Sequence, residues 1–80
     1  MIQYTEYGDW VIEAIKLHQG SATILDVAKY IWKQHRKRLE LDDEDFYKWQ
    51  YKMRWAAMVL RKKGIIKPAD SSPKGIWVLK

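Results

Sequence analysis

No cysteine occurs among the 80 residues, so neither a disulfide framework nor a thiolate metal site is open to this chain. Histidine is nearly as scarce: His18 and His35 lie far apart in sequence, and neither reads as a metal ligand. No apolar run approaches the roughly 18 residues that suggest a membrane span. The opening MIQYTEYGDW also lacks the basic region and apolar stretch of a signal peptide. A soluble, cytoplasmic protein without a membrane partner is therefore expected. Catalytic patterns are missing too. One arrangement for metal-dependent nuclease chemistry is a carboxylate followed at a distance by an acid-x-Lys triplet, which holds the cation beside the attacked phosphate. Glu13-Ala14-Ile15, Glu40-Leu41-Asp42 and Glu44-Asp45-Phe46 all lack the lysine. With no Ser-His-Asp order, Gly-rich phosphate loop or zinc spacing, the chain is expected to be a non-catalytic binding module, with no cofactor, metal or catalytic residue.

Acid is the other shortage, and it is local. Residues 1–45 carry six Lys/Arg against nine Asp/Glu, a balance of −3, whereas residues 46–80 carry nine against the single Asp70, a balance of +8, together the net +5 of the chain. A surface of that sign attracts polyanions, and release of counterions condensed on DNA supplies most non-specific affinity. Lysines also simply solvate small domains, so it is the segregation rather than the magnitude that points to a partner. Eighty residues make one domain, spanning 1–80, and five Trp, five Tyr and one Phe are available to fill its small core.

Periodicity and punctuation place three helices. The first is expected from about Trp10 to His18, with Asp9 as N-cap, Val11, Ala14 and Ile15 on one face, and Gly20 as the stop. The second begins at Thr23, whose hydroxyl caps while Asp26 completes a T-x-x-D capping box. Ile24, Val27, Ala28 and Ile31 recur at helical spacing, and the helix is expected to fray at Gln34-His35-Arg36-Lys37-Arg38. Those cations suit the negative end of the helix dipole, with a phosphate contact as the sharper alternative. The third starts at Asp42-Asp43-Glu44-Asp45, which caps the orphan N–H groups, and runs to about Lys63. At about 100° per residue, Phe46, Trp49, Met53, Ala56, Ala57 and Leu60 form the core stripe. Tyr47, Lys48, Tyr51, Arg54, Trp55, Met58 and Lys62 fall on the other side. Size nevertheless assigns Trp55 to the core, covered with Val59 by a C-terminal hairpin.

Gly64 is the expected left-handed residue after the third helix. Ile65-Ile66-Lys67 reads as a short strand closed by Pro68, residues 69–75 as turn chemistry, and Ile76-Trp77-Val78-Leu79 as the returning strand. The fold class is thus α+β, mainly α: a winged helix of three helices followed by a two-stranded β-hairpin wing, with a helix-turn-helix inside it.

Arg54-Trp55-Ala56, Leu60, Gly64-Ile65-Ile66 and the return Gly75-Ile76-Trp77-Val78-Leu79 together resemble the N-terminal winged-helix domain of Mrr-type restriction endonucleases. The likeness covers about the last 30 residues; the first 50 share only the helix order. Ala57, at a position more often basic in such domains, and the acidic run 42–45 depart from it. The resemblance implies a restriction-system module that recognises double-stranded DNA, modified DNA included, on behalf of an attached nuclease domain; a second copy of the chain as partner belongs to the docking alternative. On the residues themselves, Lys48, Tyr51, Lys52 and Arg54 are expected to meet DNA from the third helix, and Ser71, Ser72 and Lys74 to meet sugar or phosphate from the wing. The Arg54 fork fits guanine O6 and N7, and Tyr51 suits the methyl of thymine or 5-methylcytosine. The alternative is a protein-interaction or dimerisation domain that docks through Trp10, Trp32, Tyr47, Tyr51 and Met58. Contiguous exposed rings favour that alternative; exposed Lys/Arg with isolated tyrosines favours DNA.

Overall fold

The computed structural model describes residues Met1–Lys80. Three helices, α1 (Tyr4–Leu17), α2 (Ile24–Glu40) and α3 (Asp43–Lys62), make up most of the chain. Strand β1 (Ser21–Thr23) links α1 to α2, and β2 (Ile76–Val78) comes after a single 3₁₀ turn over Ala69–Ser71. β1 and β2 pair antiparallel, with Ser21 opposite Val78, Ala22 opposite Trp77 and Thr23 opposite Ile76. On the other edge of β2, Ile66 and Leu79 form one bridge, flanked by bonds from Lys67 N–H to the Val78 carbonyl and from Lys80 N–H to the Ile65 carbonyl. This is the mainly helical α+β layout of a winged helix. None of the helices is long and apolar enough to cross a membrane.

The expected strand over 65–67 is reduced to that bridge because both its ends are committed elsewhere. Gly64 (φ 77°) closes α3 in a Schellman turn, with Ile65 N–H donating to the Leu60 carbonyl, and Pro68 has no N–H to extend the ladder. The main partner of β2 is instead β1, three residues long and too short to show alternation in sequence.

α1 begins at Tyr4, six residues earlier than expected, and Asp9 lies within it rather than capping it. Gly8-Asp9 has the composition of a helix start, but Gly8 is buried where α1 crosses α3: a Cβ there would lie 3.8 Å from Leu60 Cδ2. Tertiary packing has overridden local propensity. In α2, Thr23 Oγ1 accepts from Asp26 N–H at 3.0 Å, the first half of the capping box, but the Asp26 carboxylate does not return a bond to Thr23 and lies 4.0 Å from His18 Nε2 instead. Instead of fraying over 34–38, the helix kinks at His35 (φ −126°, ψ 16°) and resumes as a second helical segment to Glu40. There the imidazole stacks on Trp10, ring centroids 3.9 Å apart and planes 10° from parallel. Of the basic run beyond it, Arg36 pairs with Glu40 and Arg38 with Glu6, while Lys37 is exposed without a carboxylate partner; the guanidinium of Arg38 holds the Glu6 carboxyl below its usual range.

α3 matches its expected span and cap, Asp42 accepting from Asp45 N–H at 3.2 Å. Trp49, Met53, Ala56, Ala57 and Leu60 join Ile2, Tyr7, Val11, Ile15, Val27, Ile31, Ile66 and Trp77 in one core. Phe46 does not: it sits at the rim of the α2–α3 contact, partly covered by Trp32 and Tyr47, and stays exposed.

Candidate nucleic-acid interface

A buried polar cluster fixes how α3 is presented. Asp45, fully buried in the first turn of α3, accepts from Lys52 Nζ (2.8 Å), Tyr7 OH (3.0 Å) and the backbone N–H of Ile2 (2.9 Å). Lys52 also reaches Glu44 at 3.2 Å. These bonds join the N-terminal segment, α1 and the first and third turns of α3. Burial works to raise the Asp45 carboxyl, but the bonds from Lys52, Ile2 and Tyr7 outweigh it and hold the group below its usual range. Burial likewise opposes the Lys52 ammonium, and its two carboxylate partners hold it above its usual value. Tyr7 is pushed far up by desolvation and by the hydrogen bond to Asp45.

Lys52 therefore leaves the set of expected DNA contacts. Its side chain is 4 % exposed and paired with two carboxylates. The signal was in the sequence: Asp45 and Lys52 are seven residues apart, two turns along one helix face. The same pairing alters the meaning of the acidic run, since Asp45 is buried and both it and Glu44 are paired with Lys52.

The outer face of α3 holds Tyr47, Lys48, Gln50, Tyr51, Arg54, Trp55, Met58 and Lys62, all exposed. Trp55 is 43 % exposed, so its expected place in the core is wrong. The helical wheel had put it outside, and size was the misleading criterion. It leans on Tyr4 of α1 in a T-shaped contact, centroids 6.5 Å apart. Gln50, which sequence reasoning passed over, joins Tyr51, Arg54, Trp55 and Met58 around a shallow concavity. Of the rings proposed for protein docking, Trp10 is buried under His35 and Trp32 is half-buried against Trp49. What remains on the face is Tyr47, Tyr51, Trp55 and Met58, interleaved with Lys48, Arg54 and Lys62.

Cations dominate this side because the carboxylates are spent elsewhere. Of the nine Lys/Arg in residues 46–80, only Lys52 has a carboxylate within ion-pair distance; the other eight have none, and all of those except the half-buried Arg61 are exposed. Arg61 Nε donates to the Lys67 carbonyl at 3.1 Å, fastening the base of the wing beside the last turns of α3. Within the wing, Lys74 is exposed and unpaired. Ser71 is exposed, its hydroxyl 3.4 Å from Asp70 Oδ1. Ser72 is half-buried and donates its proton to the Pro68 carbonyl at 2.9 Å, so it locks the turn and has no proton left for a phosphate. Lys48, Tyr51, Arg54, Ser71 and Lys74 thus keep accessible side chains, while Lys52 and Ser72 do not. No three His, Asp or Glu side chains gather as a metal site would require. Comparison of the chain with protein-family models, curated proteins and solved structures finds no match.

Proposed function

We propose that this chain is a non-catalytic module that binds double-stranded DNA through the outer face of α3 and the wing. It would serve a cytoplasmic restriction-system protein similar to the N-terminal domains of Mrr-type endonucleases. The observation that carries the reading is the set of eight carboxylate-free cations on residues 46–80, concentrated on α3 and the wing and interleaved with exposed tyrosines. Unpaired cations exchange counterions for phosphates without first breaking an internal ion pair. Lys48, Lys62 and Lys74 are suited to phosphates, Arg54 to a guanine edge, and Tyr51 to a pyrimidine methyl. The exposed carboxylates of Asp43 and Glu44 disfavour burying the first turn of α3 in a groove, so the contact falls on its later turns.

Fluorescence anisotropy of a labelled duplex, with and without 5-methylcytosine and at two salt concentrations, tests this. Log affinity is expected to fall with log salt at about −0.9 per neutralised phosphate. Arg54→Ala should weaken specific binding more than non-specific binding; equal loss on every sequence would make Arg54 a phosphate contact. The exposed row Tyr47, Tyr51 and Trp55, with Met58 beside it, favours a second reading as a protein-docking surface. Failure to bind DNA at low salt would transfer the face to that reading.

A further inference from the structure

We infer that the Gln50–Met58 stretch of α3 is a stacking site for an unpaired nucleobase, so that DNA containing unpaired bases is bound more tightly than the fully paired duplex. The inference rests on the DNA-binding reading and adds the state of the DNA that is preferred. Tyr51 and Trp55 are four residues apart and so lie one above the other on the helix surface. Both are exposed, and they line one shallow concavity with Gln50, Arg54 and Met58. The stretch is about 12 Å long, room for one or two bases. The T-shaped contact with Tyr4 holds the Trp55 indole in place while leaving it 43 % exposed, so part of a platform is already ordered before any ligand arrives.

A paired duplex makes poor use of such rings. Its base faces are covered by neighbouring bases, and the major groove offers only edges and thymine methyls. An unpaired base brings a free face, which stacks on tyrosine or tryptophan with little regard to sequence. The charges fit the same ligand. Arg54 has no carboxylate partner and lies between the two rings in sequence, where its planar guanidinium can stack or meet the flanking phosphate. Gln50 adds an amide able to donate to and accept from a base edge. No carboxylate lines the concavity.

The test is anisotropy on three labelled DNAs at one salt concentration: a paired duplex, the same duplex with a run of central mismatches, and one of its strands alone. The mismatched duplex is expected to bind about ten-fold more tightly than the paired one. Trp55→Leu should bring it down to the affinity of the paired duplex, with the far-ultraviolet circular dichroism melt confirming the fold. Should that variant lose its fold, Tyr51→Leu carries the same comparison. Equal binding of paired and mismatched duplexes overturns the stacking site and leaves the DNA-binding reading standing. A preference that survives in the folded leucine variant also overturns it. Absence of binding to all three DNAs overturns both readings.

Discussion

Replacing Lys52 with methionine separates the two roles that a lysine on α3 can have. The substitution keeps the unbranched stem and its packing but removes the ammonium that sits 2.8 Å from Asp45 and 3.2 Å from Glu44. Asp45, fully buried, is left with two neutral donors, the Tyr7 hydroxyl and the Ile2 N–H. Breaking a buried pair by removing one partner costs about 3–5 kcal/mol. The whole domain is held by only about 4–12 kcal/mol at this length, so the melting temperature should fall by at least about 12 °C. Lys52→Met combined with Asp45→Asn removes the stranded charge, and the double variant should regain part of the loss, with a coupling above about 1 kcal/mol. Thermal melts of the four proteins measure the cycle. The sign of the pH dependence is fixed by the same cluster. Asp45 has its carboxyl depressed in the fold, so its contribution is present above its unfolded value, about 3.9, and is lost as pH falls through the folded one. Lys52 is raised, so its contribution is present below about 10.4 and is lost as pH rises through its folded value. A Lys52→Met protein that melts within about 2 °C of the parent and binds DNA less tightly would refute the argument. It would return this lysine to the DNA contacts.

Three further outcomes are expected. Gly8→Ala should stabilise the domain by about 0.5–1 kcal/mol, because a Cβ at 3.8 Å from Leu60 makes ordinary contact and the helix gains from losing a glycine; destabilisation on a denaturant curve would mean that α1 and α3 are too close for a methyl group. Trp77→Ala should cost about 3–5 kcal/mol, since the indole is buried in the central strand opposite Ala22, and an unchanged melt would show that the sheet is not packed on the helices. Lys74→Ala should weaken binding to all duplexes alike and lower the salt slope by about one unit, and an unchanged slope would remove the wing from the contact surface.

Where the fold was legible in sequence, local chemistry and tertiary packing agreed. Thr23-x-x-Asp26, the Asp42 cap and Gly64 each satisfy backbone groups within their own turn, so their residue types alone point to the geometry found. The expected start of α1 at Asp9 was wrong because Gly8 lies within the helix, where it serves the crossing of α1 over α3, a contact between residues far apart in sequence that local composition cannot register. β1 escaped notice because three residues cannot display a period and because Thr23 already reads as a cap. At the candidate interface, the sequence located the cations but did not show which of them are free of carboxylates. That depended on Asp45 being turned inward, and only the folded chain shows the inward carboxylate taking Lys52 with it.

The division of charge along the sequence and the architecture have a common logic. The acidic first half uses its carboxylates as fasteners: Glu6 on Arg38, Glu40 on Arg36, Glu13 beside His35, and Asp45 on Lys52. Glu6 and Glu13 tie α1 to α2, Glu40 pairs within α2 and Asp45 within α3, and none of these acids reaches the last turns of α3 or the wing. A cation in residues 46–80 thus stays free simply by lying beyond the reach of these acids, and Lys52 is the exception that proximity to Asp45 and Glu44 predicts. The corollary concerns introduced charge. Met58→Glu would put a carboxylate in the middle of the outer face, within one turn of Arg54, Arg61 and Lys62. It would weaken attraction for phosphate without touching the core, because Met58 is exposed. The fold should melt within about 0.5 kcal/mol of the parent, as exposed substitutions usually do, while duplex affinity falls and its salt slope flattens. Undiminished DNA binding by this variant would mean that α3 meets DNA on another face, or not at all.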